Sequence, residues 1–261
     1  MLGAIIGDIV GSRFEFNNIK TKDFDLFTEE SRFTDDSVLT IAVADWVCHA
    51  NTKGIKEASK FLRKWALKYP YAGYGGMFAR WMYSSEMGPY GSYGNGSAMR
   101  ISPVGFMFNN EEDLKQASKI ITGTTHNHEE GLKGAEVTAM CIYMARTGRT
   151  KEQIKEYVSK FYNLDFDYEE LRKTYRHEEE ICQCTVPQAI FCFLISKDFE
   201  DCLRTTISIG GDCDTTAAIS CAIAEAYYGI PKEIEEKAKT YLTKEMIEII
   251  EDFEFIKNMS N

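Results

Sequence analysis

The sequence predicts an all-α protein, a single compact many-helix domain over residues 1–261. Three observations carry that expectation. Apolar residues recur at spacings of three and four from end to end, as on one face of a helix. Convincing alternation of apolar and polar residues, the mark of a half-buried strand, is absent. The segment Ala217 to Ala226 is apolar almost all round, which points to a helix buried on every side near the centre of the fold.

From the N-terminus, the apolar run after Met1 is cut by Asp8, too early for a secretory leader, so a cytoplasmic location is expected. Asp8 and Glu15 stand seven apart and share a helical face if the helix continues through Gly11-Ser12-Arg13. On these residues alone Glu15 reads as a surface acid paired with Arg13. Thr34-Asp35-Asp36-Ser37 precedes a strongly apolar segment and contains the residue types that cap helices. A helical stripe follows in Ile55, Ala58, Phe61, Leu62 and Trp65. Residues 71–96 then break the rhythm, with seven of the 19 glycines and five of the 14 tyrosines. That composition predicts a long functional loop rather than a polar linker, with flat rings on a backbone that approaches a ligand closely.

Gly94-Asn95-Gly96-Ser97-Ala98-Met99-Arg100 places two glycines and an N-cap serine at a helix start, where outward amides suit a phosphate. Thr125-His126-Asn127-His128 opens another helix. No cysteine or carboxylate pattern of zinc-site spacing accompanies it, so His126 reads as a hydrogen-bonding cleft residue. Stripes continue in Leu132 to Tyr143 and in Ile154, Tyr157, Val158 and Phe161. The buried segment from Ala217 ends at Gly229, and Pro231 opens the next helix, with stripes over Ile234 to Leu242 and Met246 to Phe253.

No apolar run approaches the ~20 residues that span a membrane, and a net charge of −10 offers no general attraction for nucleic-acid phosphates or anionic lipid. Eight scattered cysteines without a CxxC pair read as reduced core thiols. A monomer is expected.

The most informative feature is a pair of acidic clusters, Thr34-Asp35-Asp36-Ser37 and Gly211-Asp212-Cys213-Asp214-Thr215. Each holds two carboxylates beside a hydroxyl. Helix capping accounts for either alone; together they offer hard oxygens for a divalent cation pair, whereas without cations four gathered carboxylates would repel.

Gly7-Asp8-Ile9-Val10-Gly11-Ser12 with Glu15, the two acidic clusters, Gly94-Asn95-Gly96 with Met99-Arg100, and Thr125-His126 resemble, in order and spacing, the ADP-ribosylglycohydrolase family. Ala226-Tyr227-Tyr228-Gly229-Ile230-Pro231 extends the likeness to residue 231. The resemblance implies an all-helical hydrolase with two Mg2+ or Mn2+ ions on Thr34, Asp35, Asp36, Asp212, Asp214 and Thr215. It implies catalytic roles for Glu15, Asp36 and Asp212, with Glu15 and Asp212 as acid and base in either order. The diphosphate of ADP-ribose would rest on Gly94, Asn95, Gly96 and Ser97 beside Met99, adenine on Tyr74 or Tyr93, and a ribose beside His126. The expected substrate is an ADP-ribosylated protein, arginine- or serine-linked, or a small ADP-ribose conjugate. The alternatives are a dimetal phosphohydrolase acting on nucleotides and a non-catalytic ADP-ribose-binding protein.

Overall fold

The computed structural model describes residues 1–84, 86–176 and 180–259, and among them fifteen helices and no strand. In chain order these are α1 (Leu2–Gly11), α2 (Asp35–His49), α3 (Ile55–Lys68), α4 (Gly76–Tyr83), α5 (Gly96–Met99), α6 (Ser102–Met107), α7 (Glu111–Thr122) and α8 (Glu129–Arg146). Then come α9 (Lys151–Val158), α10 (Tyr168–Thr174), α11 (Cys182–Ile195), α12 (Phe199–Ile209), α13 (Cys213–Tyr228), α14 (Lys232–Lys239) and α15 (Lys244–Met259). An isolated antiparallel bridge joins Gly94 to Ile181.

The segment expected at the centre is there. Every residue of α13 from Cys213 to Ala224 is buried, and α1, α8, α11 and α12 pack around it. α1 is its closest neighbour, and the reason lies in Gly3, Gly7 and Gly11, four apart on one face. A Cβ on Gly3 would lie 2.3 Å from the Cys221 carbonyl oxygen, one on Gly7 2.4 Å from the Ala217 carbonyl, and one on Gly11 2.6 Å from Asp214 Cα. The two backbones therefore touch, and this contact brings Asp8 against the first turn of α13. Around them one apolar core runs through most helices, with a small satellite of Leu171, Tyr175, Phe191, Cys192 and Ile209.

Several expectations shift in detail. The run 71–96 is not loop throughout, because Phe78, Trp81 and Met82 form a buried stripe and fold residues 76–83 into α4. The glycines in front of it hid that periodicity. α9 stops at Val158 and α14 at Lys239, short of Phe161 and Tyr241. Pro231 stands one residue before α14, as its N-cap. All eight cysteines are free thiols, six of them buried. Among the described residues no helix is long and apolar enough to cross a membrane.

Candidate functional site

α12 and α13 are joined by Gly210 and Gly211, at φ +75° and +73°, a left-handed pair that a residue with a side chain adopts only under strain. Gly211 also lacks room: its Cβ would fall 2.3 Å from the ring of buried Tyr175, whose hydroxyl donates to the Cys184 carbonyl at 2.8 Å. Asn18 braces the turn from the other side, accepting from the Gly211 amide at 2.8 Å and donating to its carbonyl at 2.9 Å. Lys20 donates to the carbonyls of Ile209, at the C-terminus of α12, and Tyr175. The turn thus aims Asp212 and Asp214 at a fixed place.

The second acidic cluster meets them there. Thr34, not an aspartate, caps α2, its hydroxyl accepting from the Asp36 amide. Asp212 occupies the N-cap position of α13 but makes no capping bond; its Oδ2 accepts from Asn95 Nδ2 at 2.6 Å. Capping therefore does not explain Asp35, Asp36 or Asp212. Asp8, Asp36 and Asp214 each offer an oxygen within 4.8 Å of the others, and so do Glu15, Asp212 and Asp214. Asp214 belongs to both groups. Thr215 ties the clusters together by donating to Asp36 Oδ2 at 3.2 Å, while Asp36 Oδ1 is buried with no hydrogen-bond partner among the described residues.

Burial, and after it the neighbouring carboxylates, raise Asp35, Asp36 and Asp214 well above the usual carboxylate range. Asp8 is also raised by burial, against the pull of its donors: Thr34 N at 2.9 Å, Thr34 Oγ1 at 2.7 Å, Ser37 N at 3.0 Å and the Ser37 hydroxyl. A cluster whose ionised form is this costly, with one oxygen left bare, fits a hard divalent cation. The donor set is all oxygen, as Mg2+ or Mn2+ requires.

Glu15, Asp35, Asp36, Asp212 and Asp214 line a cleft of about 290 Å³ with Gly94, Asn95, Gly96, Met99, Arg100 and His126 opposite, and Asp8 lies behind them. Gly73, at φ +110°, brings its backbone against Asp35, where a Cβ would sit 3.3 Å from Oδ1. His126 is buried beside Gly94 and Gly96; a Cβ on either would lie 3.8 or 3.6 Å from its Nε2. Its Nδ1 is 2.7 Å from Thr125 Oγ1, which accepts from the buried Arg100 guanidinium, also at 2.7 Å. Burial first, and then the Arg100 charge, hold His126 well below the ordinary imidazole value.

Of the residues singled out in the sequence, Glu15, Asp35, Asp36, Asp212, Asp214, Thr215, Gly94, Asn95, Gly96, Met99 and His126 line this cleft. Thr34 lies just outside, its hydroxyl donating to Asp8. Glu15 arrives by a turn and not on a helical face: α1 ends at Gly11, and Asn18 Nδ2 folds the chain back by donating to the Phe14 and Glu15 carbonyls. Ser97 is not an N-cap. It sits inside α5 and donates to the Gly131 carbonyl at 2.9 Å, away from the cleft. Two of the amides expected to be free are engaged, Gly94 N with Ser92 Oγ and Asn95 N with the Glu180 carbonyl. Tyr74 packs on Phe78 and Tyr93 on His128, outside the lining; the rings that face the cleft are Phe78 and Tyr90. His128 caps α8.

Sequence reasoning passed over Asp8 as a site residue, and also Arg100 and Tyr175. Asp8 had a signal, a lone acid among Ile5, Ile6, Ile9 and Val10. Tyr175 had none.

A sequence model described as ADP-ribosylglycohydrolase matches residues 1–258. Among curated relatives, human ADP-ribosylhydrolase ARH3 is 23% identical, the alignment covering 92% of this chain and 88% of that one. The ADP-ribosyl-[dinitrogen reductase] glycohydrolase of Rhodospirillum rubrum is 23% identical over 88% of this chain and 84% of its own. A solved structure described as an ADP-ribosylglycohydrolase-related protein complex superposes with a TM-score of 0.74 at 22% identity, covering all of this chain and 96% of that one.

Proposed function

Since the chain belongs to the ADP-ribosylglycohydrolase family, whose members hydrolyse ADP-ribose linkages, we propose that it is a divalent-cation-dependent hydrolase that cleaves the glycosidic bond between ADP-ribose and an arginine or serine side chain, or a small conjugate. The observation that carries the reading is the unpartnered Asp36 Oδ1 in a carboxylate group that overlaps a second one at Asp214, in a cleft whose other wall is a glycine turn.

Asp35, Asp36, Asp212, Asp214 and Thr215 would supply oxygens for the ions, with Thr34 and Asp8 behind them and Glu15 at their side. Bound there, Mg2+ or Mn2+ would polarise the ribose hydroxyls and offset the repulsion among the acids. The remaining work belongs to the chain. Gly96 and His126 hold the diphosphate, and Phe78 and Tyr90 give the base an apolar wall. Hydrolysis places the hydroxyl of water on the anomeric carbon and a proton on the leaving group. Glu15, only partly buried where Asp212 is 7% exposed, is the acid best placed to take the proton from water and exchange it with solvent. Asp212, whose Oδ2 accepts from Asn95 Nδ2, stands where a carboxylate stabilises the developing oxocarbenium ion.

The test is a panel of defined ADP-ribose linkages assayed with magnesium, with manganese and with chelator. Asp36→Ala and Asp212→Ala should each lower turnover at least ~10²–10³-fold, the range for removing one preorganised electrostatic group. Release of ADP-ribose by either variant at the parent rate, or in chelator, would refute the mechanism.

A further inference from the structure

Arg100, Thr125 and His126 form a chain of hydrogen bonds that the carboxylate chemistry does not explain. Arg100 is 1% exposed and His126 4%, and both line the cleft. A guanidinium has only protons to offer, so in the 2.7 Å contact Thr125 Oγ1 is the acceptor. The Tyr90 amide donates to the Thr125 carbonyl at 3.1 Å, which holds this residue in place. Arg100 occupies one lone pair of the Thr125 hydroxyl, whose own proton can go to His126 Nδ1 at 2.7 Å.

Electrostatics selects the same arrangement. The Arg100 charge repels a proton from the ring nitrogen on its side and favours the far one. That far nitrogen, Nε2, opens onto Gly94 and Gly96, where any side chain would close over it.

The geometry points to a positioning role for Arg100 and Thr125: they fix His126 as a neutral imidazole with its proton on Nε2, a standing donor to an anionic substrate oxygen at the Gly94–Gly96 turn. The identity of that oxygen, one of the ADP-ribose diphosphate, rests on the function proposed above. The tautomer does not. A ring locked in this way cannot act as a general acid, and it presents no lone pair to a cation in the adjoining carboxylate cluster. Its N–H bonds more strongly to an ionised diphosphate oxygen than to a neutral sugar hydroxyl.

The experiment is side-chain 15N–1H NMR of the full chain, with His126 assigned through His126→Asn, combined with calorimetric titration of ADP-ribose and of adenosine. The parent protein should show His126 protonated at Nε2 alone, from about pH 8 down past the ordinary imidazole value near 6.5. Thr125→Val should mix the tautomers and weaken ADP-ribose ~10-fold, the size of one charge-assisted hydrogen bond, while adenosine changes less than ~2-fold. Thr125→Ser should restore both the tautomer and the affinity. Arg100→Met should let His126 protonate at higher pH. A parent His126 protonated at Nδ1, or charged at neutral pH, overturns the proposal. So does an equal loss of ADP-ribose and adenosine in Thr125→Val, which would mark a purely structural role. A parent with the stated tautomer and no affinity for ADP-ribose overturns the diphosphate assignment and the proposed function with it, leaving the lock itself in place.

Discussion

Asp8 shows what a single side chain contributes here. It lies inside the strongly apolar α1, and its carboxylate gathers the amides and hydroxyls of Thr34 and Ser37, so it anchors the start of α2 within 4.8 Å of oxygens of Asp36 and Asp214. Around it, Asp35, Asp36 and Asp214 bind protons more tightly folded than unfolded, which fixes the sign of a pH effect. Between the unfolded carboxylate value near 4 and the raised folded values, the native state carries the extra protons, so stability falls as pH rises. In chelator, the protein should therefore melt at a higher temperature near about pH 5.5 than near about pH 7.5, and saturating magnesium should remove that advantage. A chelated melting temperature that rises with pH over that range would contradict it. The paired aspartates were legible because they are adjacent in sequence and flanked by hydroxyls. Asp8 and Arg100 were not weighed as chemistry, since a lone charge in or beside an apolar segment gains meaning only from partners that are distant in sequence.

At the scale of elements, the stripes over Ile55–Lys68, Glu129–Arg146 and Lys244–Met259 were readable because an amphipathic helix writes its period into the chain. α4 was obscured by glycines, and the aromatic assignments failed for a related reason. Composition located a ring-rich stretch but could not say which rings turn inward, and Tyr90 does where Tyr74 and Tyr93 do not. The glycine face of α1 carries the larger consequence. Gly7→Val would drive two methyl groups into the Ala217–Ala218 backbone, which cannot move without displacing the buried helix. Overpacking a side chain costs about 1–3 kcal/mol, and a rigid backbone partner should place this variant at or above about 3 kcal/mol in a urea melt. Loss below about 1 kcal/mol would mean that the helices separate freely.

Over the whole molecule, ten net negative charges and a buried acidic cluster make cation binding a matter of stability as well as chemistry. Magnesium at ~100 times its dissociation constant should add about 2.7 kcal/mol. For a chain of this size, that corresponds to a rise of about 5–10 °C in melting temperature. Scanning calorimetry with and without chelator checks it, and an unchanged transition would argue against a resident ion. The fold was recoverable from sequence at this scale because five short motifs stand in a fixed order, whereas residues 12–34 beside the cleft are turns and coil that no period encodes. The contact between α1 and α13 also sets an order of events during synthesis. Residues 2–11 leave the ribosome about two hundred residues before the helix that buries them. At ~5–20 residues per second, a segment apolar but for Asp8 waits on the order of ten to forty seconds for its partner. Until then only earlier elements such as α2 can cover part of it, and the acidic cluster that needs both α2 and α13 is among the last features to form.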